Sequence, residues 1–222
     1  MPTENKRLTR LAMPRLYVIL DYAMLGPSTV KMAQQLTGAG VRLLQYRNKT
    51  GAAREVLAEA ERLAAVARDA QAWFFVNDRP DVAWLAGADG VHVGQEDLSV
   101  EQARTVIGQE RWVGVSTHND EQFKKALETS ADYIAVGPVF PTATKENPDP
   151  VVGLEFVSRV RRLTEKPIVA IGGITLEHAA EVIAAGADSV AVISDILCAA
   201  DPAERAGQYL RRLETVRPAA AH

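Results

Sequence analysis

The chain has 222 residues, 47% of them hydrophobic, and its 25 Lys and Arg nearly balance its 28 Asp and Glu, leaving a formal net charge of −3. That balance provides no general field to draw nucleic acid or an anionic membrane, so any anionic partner must be captured locally as a small molecule. A single cysteine, Cys198, excludes an intrachain disulfide and a Cys-based zinc cluster; it is expected to be structural, in a protein of the reducing cytoplasm.

In chain order, short β-rich runs occur at 16–20, 41–46, 73–76, 90–93, 112–115, 133–136, 168–171 and 189–193. Several are almost continuously apolar, as parallel strands covered on both faces must be. Helical spacing fills the gaps. It is clearest over 52–70, where Val56, Leu57, Ala60, Leu63, Ala64 and Ala67 share one stripe, and it continues in a short helix opening at Pro80-Asp81. Further amphipathic stretches cover 100–107, 121–127, 154–163 and 176–185. A last helix starts at Asp201-Pro202, with Asp as N-cap and Pro in the first turn. The triplets Gly38-Ala39-Gly40, Gly87-Ala88-Asp89, Ser130-Ala131-Asp132 and Gly186-Ala187-Asp188 each stand just before a strand and are read as helix stops. Eight βα units predict an α/β fold, a single (β/α)8 TIM barrel over 1–222, with 1–13 and 215–222 loose. The apolar run near the start is interrupted at Pro14 and Arg15, well short of the ~20 residues a membrane span needs.

Polar residues collect just after the strands, which in a barrel is one rim. Asp78 and Asp97 follow adjacent strands and offer hard oxygen ligands suited to Mg²⁺, although each also fits as a cap before the next helix. Gln45, Arg47 and Lys49 alternate along an extended segment and so share a face, where two cations can meet one anion; a solvated charged loop is the alternative. Thr142, Ala143, Thr144 and Lys145 form a loop able to cradle phosphate, and Gly172-Gly173 and Ile193-Ser194 stand where many barrels bind phosphate through backbone N–H groups. His92 lies within a strand and is expected to be a hydrogen-bonded structural residue, whereas His118 fits rim structure and catalysis equally.

Six motifs in register carry a family resemblance. Gln45-Tyr46-Arg47-Asn48-Lys49, Val76-Asn77-Asp78-Arg79, the Asp89 to Leu98 run, Gly114-Val115-Ser116-Thr117-His118, the Gly137 to Lys145 loop and Ala170-Ile171-Gly172-Gly173-Ile174 together closely resemble the thiamine-phosphate synthase family, from about Leu16 to Ser194. The resemblance implies a transferase that joins an aminopyrimidine diphosphate to a thiazole phosphate with Mg²⁺, releasing pyrophosphate by dissociation to a pyrimidine-stabilised cation. It implies that Gln45, Tyr46, Arg47, Asn48, Lys49, Asn77, Ser116 and Lys145 hold the pyrimidine diphosphate, with Arg47, Lys49, Ser116 and Lys145 acting in catalysis. Asp78 and Asp97 would then bind Mg²⁺, and Thr142, Ala143, Thr144, Gly173, Ile193 and Ser194 the thiazole phosphate. Asn48 and Tyr46 depart from the acidic residue and the Leu common at these motif positions. The 144–152 segment is expected to close over the substrates. Two alternatives are a thiazole tautomerase using His118 as acid and base, and a non-catalytic barrel that binds a phosphorylated ligand.

Overall fold

Eight parallel strands close on themselves in sequence order, the first pairing with both the second and the eighth. They are β1 (Leu16–Asp21), β2 (Leu43–Arg47), β3 (Trp73–Asn77), β4 (Gly90–Val93), β5 (Trp112–Thr117), β6 (Tyr133–Val136), β7 (Ile168–Ala170) and β8 (Ser189–Val192). The computed structural model describes residues 13–142 and 149–216. Among them the helices are α1 (Tyr22–Leu25), α2 (Thr29–Gly38), α3 (Ala53–Asp69), α4 (Pro80–Ala86), α5 (Val100–Ile107), α6 (Asp120–Leu127), α7 (Gly153–Arg161), α8 (Leu176–Ala184), α9 (Ser194–Leu197) and α10 (Pro202–Glu214).

The predicted (β/α)8 barrel is the fold observed, and four of its strands run further toward the rim than their apolar residues indicate. Asp21 pairs with Arg47, Asn77 with His92, and Thr117 with Val136, so polar residues expected in loops are still held by the ladder. The consequence is rigidity: a side chain on a paired strand end is aimed better than one on a free loop. Helix α2 has no counterpart among the predicted elements. Its buried stripe is Thr29, Ala33, Leu36 and Thr37, too small and too polar to register as hydrophobic periodicity.

Two apolar layers hold the barrel. One lies between the strands and the helices; the other fills the interior with Tyr17, Leu43, Phe75, Trp112, Tyr133, Val169 and Ala191, closed below by Met13. The interior rings cross the barrel only because small residues face them. A Cβ on Gly114 would stand 2.0 Å from Tyr133 Cζ, and one on Gly90 would stand 2.5 Å from Phe75 Cε1.

The residues before the strands do more than stop helices. Oδ2 of Asp89, Asp132 and Asp188 accepts the backbone N–H of Phe74, Val113 and Ile168 respectively, each at 2.8 Å. Each aspartate thereby ties its strand to the one before it. Arg104 and Arg161 pair with Asp132 and Asp188 at 2.5 and 2.8 Å, so this face of the barrel is built for stability. Of the ends expected to be loose, 1–12 and 217–222 lie outside the described residues. Met13 is 5% exposed, and Arg15 Nη1 donates to the carbonyls of Leu213 and Val216. Cys198, expected to be structural, is exposed at the end of α9.

Candidate active site

The rim encloses one cavity of about 710 Å³, within the size range of small-molecule sites. Gln45, Arg47, Lys49, Asn77, Asp78, Asp97, Ser116, Thr142, Gly173, Ile193 and Ser194 all line it, drawn together from β2, β3, β4, β5, β6, β7 and β8. Tyr46 and Asn48 do not. Alternation along β2 turns Tyr46 toward the helix layer, where it is 1% exposed against Tyr22 and accepts a hydrogen bond from Asn48 Nδ2 at 3.0 Å. The side chains of Tyr46 and Asn48 therefore face away from the cavity. Ala143, Thr144 and Lys145, and most of the segment expected to close, lie outside the described residues.

The two carboxylates are not helix caps. The cap of α4 is Arg79, and α5 is capped by Ser99 in a reciprocal box with Gln102. Asp78 instead sits at φ +63°, a left-handed conformation costly for a side-chain-bearing residue, which turns its carboxylate into the cavity beside Lys49 Nζ at 3.0 Å. Asp97 Oδ2 accepts the Gly94 N–H at 2.8 Å. Burial and the neighbouring Asp97 carboxylate push the Asp78 pKa up to about 6 against the pull of Lys49. Two carboxylates crowded in this way form a site that a cation relieves.

Arg47 is held at the cavity by a buried acid from the neighbouring strand. Its Nη1 pairs with Oδ2 of Asp21, which is 3% exposed, while Asp21 Oδ1 accepts the Ala23 N–H at 2.9 Å and starts α1. β1 thus also delivers a polar side chain to the rim. The signal was present as a lone acid closing the apolar run Leu16–Asp21.

Gly172 and Gly173 adopt φ +86° and +66°, and a Cβ on either would fall 2.4 Å or less from Pro138 or Pro141 atoms. Only glycine meets both demands. Asp195, on the short α9, is neutralised by Arg205 at 3.0 Å and bonded to the Tyr209 hydroxyl at 2.6 Å, so it adds no open negative charge beside Ser194. His118 Nδ1 donates to the Gly137 carbonyl at 2.6 Å, and its Nε2 lies 3.5 Å from Asp149 Oδ2.

His92 is buried and hydrogen-bonded at both ring nitrogens, to Tyr133 and to Ser116. Burial lowers its pKa from 6.5 to about 4. As pH falls from 6.5 toward 4, the unfolded chain takes up a proton that the folded protein refuses, so stability present above pH 6.5 is lost, by up to about 3 kcal/mol. His92→Gln is expected to flatten this part of the stability–pH curve in urea unfolding; an equally steep curve would contradict it.

A closed parallel barrel with acids, cations and glycines gathered on a single rim defines a class: a (β/α)8-barrel enzyme for phosphorylated small molecules. The family model described as thiamine monophosphate synthase matches residues 16–196. The chain is 51% identical over 210 residues to the thiamine-phosphate synthase of Koribacter versatilis, covering 92% of this chain and 98% of that one. It is 42% identical over 205 residues to the thiamine-phosphate synthase of Gloeobacter violaceus, covering 92% of this chain and 59% of that one. Among solved structures it is similar to the thiamine phosphate pyrophosphorylase from Pyrococcus furiosus, with TM-score 0.83, 35% identity, and 91% and 96% of the two chains covered. The chain belongs to the thiamine monophosphate synthase family.

Proposed function

We propose that this chain joins an aminopyrimidine diphosphate to a thiazole phosphate, giving thiamine phosphate and pyrophosphate. The observation that carries this reading is the convergence of a crowded acid pair, Asp78 and Asp97, with Arg47 and Lys49 on one cavity large enough for two small substrates. The bond from the pyrimidine methylene carbon to a diphosphate oxygen breaks, and the thiazole nitrogen captures that carbon. No side-chain nucleophile is needed. What the protein must supply is positive charge and hydrogen-bond donors where the diphosphate departs. Arg47, held by Asp21, offers a fork to the diphosphate, Lys49 a point charge and Ser116 a hydroxyl. Gln45 and Asn77 orient the pyrimidine. Lys145 is assigned to the leaving group by its motif.

The donor set fits Mg²⁺. Among the described residues no group of three or more His, Cys, Asp or Glu side chains is arranged to hold a metal, so Asp78 and Asp97 would share the ion with water and diphosphate oxygens. When bound, Mg²⁺ supplies Lewis-acid stabilisation to the departing pyrophosphate. Thr142, Ala143, Thr144, Gly173, Ile193 and Ser194 are assigned to the thiazole phosphate. Among the described residues no helix is long and apolar enough to cross a membrane.

The test is pyrophosphate release from the two purified substrates with Mg²⁺, abolished by EDTA and restored by added Mg²⁺. Absence of release sinks the reading. Release undiminished by EDTA removes the metal assignment alone. A tautomerase would convert the thiazole phosphate without any pyrimidine substrate, and would have no use for the acid pair.

A further inference from the structure

Beneath the rim, buried polar side chains make one continuous path across the barrel. Gln45 Nε2 donates to the Tyr17 hydroxyl at 2.8 Å, and the hydroxyls of Tyr17 and Tyr133 are 3.3 Å apart. The Tyr133 hydroxyl lies 2.9 Å from His92 Nδ1, and His92 Nε2 lies 2.8 Å from Ser116 Oγ. Both tyrosines are 1% exposed, and the His92 ring stacks on that of Tyr133. Gln45, Tyr17, His92 and Ser116 line the cavity floor, and Tyr133 joins the two halves of the path beneath it.

Counting protons gives the path a direction. A hydroxyl has one proton to give, and a neutral imidazole donates at one nitrogen and accepts at the other. The Tyr17 oxygen receives the Gln45 amide, so its own proton goes to Tyr133, its remaining partner among the described residues. Tyr133 then gives its proton to His92 Nδ1. His92 therefore carries its proton on Nε2 and gives it to Ser116 Oγ. Ser116 accepts from below, and its hydroxyl proton is left for the cavity. At the other end Gln45, with its Nε2 engaged, keeps Oε1 as an acceptor. Turning the Gln45 amide over would reverse every bond and deprive the cavity of the Ser116 donor.

Burial holds His92 neutral and keeps both phenols protonated, so the path neither gains nor loses a proton near neutral pH. Gly114 matters here as well, since a Cβ there would collide with the Tyr133 ring.

We infer that Tyr17 and Tyr133 are positioning residues that set the hydrogen-bonding sense of the site, so that Ser116 presents a donor and Gln45 an acceptor to the substrate. This rests on the pyrimidine-diphosphate reading of the cavity, in which an anionic oxygen takes the donor and an amine takes the acceptor.

The first test needs no activity. In ligand-free protein with ¹⁵N-labelled histidine, NMR is expected to show His92 as the Nε2–H tautomer, and Tyr133→Phe to mix the two tautomers. A Nδ1–H tautomer in the wild type overturns the inference. The second test is kinetic. Tyr133→Phe is expected to lower kcat about 10-fold with KM for the thiazole phosphate unchanged, and to cause no further loss when added to Ser116→Ala. An unchanged kcat, or losses that multiply, would mean the tyrosine only packs. Should Tyr133→Phe fail to fold, Tyr17→Phe carries the same kinetic comparison. If the wild type does not couple the substrates, the functional reading falls, while the tautomer still decides the path.

Discussion

Asp78→Asn and Asp97→Asn are each expected to lower coupling turnover by at least about 100-fold, with no comparable loss of thermal stability. The two effects separate because the pair is arranged against its own stability. In the metal-free protein the Asp78 pKa is raised to about 6 by burial and by Asp97, so its ionisation above that pH costs stability. Removing one charge relieves the repulsion by an amount on the order of 1 kcal/mol, discounted because the pair opens to the cavity. Asn also tolerates the left-handed backbone that Asp78 adopts. The check pairs kcat at saturating Mg²⁺ with a thermal melt of each variant. Turnover near the wild-type value would show that the acids do not hold the ion, and a large fall in Tm would show that they are structural.

The second large effect is expected at Asp21, which touches no substrate in the proposed arrangement. Asp21→Ala leaves the Arg47 guanidinium half-buried without its partner and removes the side chain that caps α1. The loss is expected to be about 2 to 3 kcal/mol, below the range for fully buried pairs because Arg47 also faces the cavity. Asp21→Asn isolates the electrostatic part, since it can still accept from the Ala23 N–H. For Asp21→Asn, kcat/KM for the pyrimidine diphosphate should fall about 10- to 100-fold, while KM for the thiazole phosphate stays constant. Steady-state kinetics with each substrate varied in turn makes the distinction. A uniform loss on both substrates would mean that the whole rim has loosened.

The site was legible in the sequence to the extent that rim position follows from where a strand ends. Thirteen residues expected there do line a common cavity, because parallel strands all deliver their ends to the same face. Side-chain direction at β2 was harder to read. Gln45, Arg47 and Lys49 face in by alternation, and the same alternation carries Tyr46 and Asn48 out to the helix layer, although the motif groups all five together. Asp21 escaped notice because it works through Arg47, a contact 26 residues away in the chain. Tyr17 and Tyr133 escaped for a related reason: as sequence they are apolar strand residues, and their hydroxyls acquire meaning only when β1, β4 and β6 face one another across the closed barrel.

The sequence by itself determined the eight strands, their parallel order and the rim on which polar residues gather, since burial on both faces of a parallel strand imposes a nearly continuous apolar run. Tertiary structure alone decided which polar groups meet. The left-handed turn at Asp78 and the Asp21 anchor beneath Arg47 depend on the pairing of neighbouring strands, and the directed path from Gln45 to Ser116 on barrel closure, which sets side chains of β1, β4 and β6 within 3.3 Å of one another. Hydrogen bonds and ion pairs act over such distances only, and no local pattern of residue types records them.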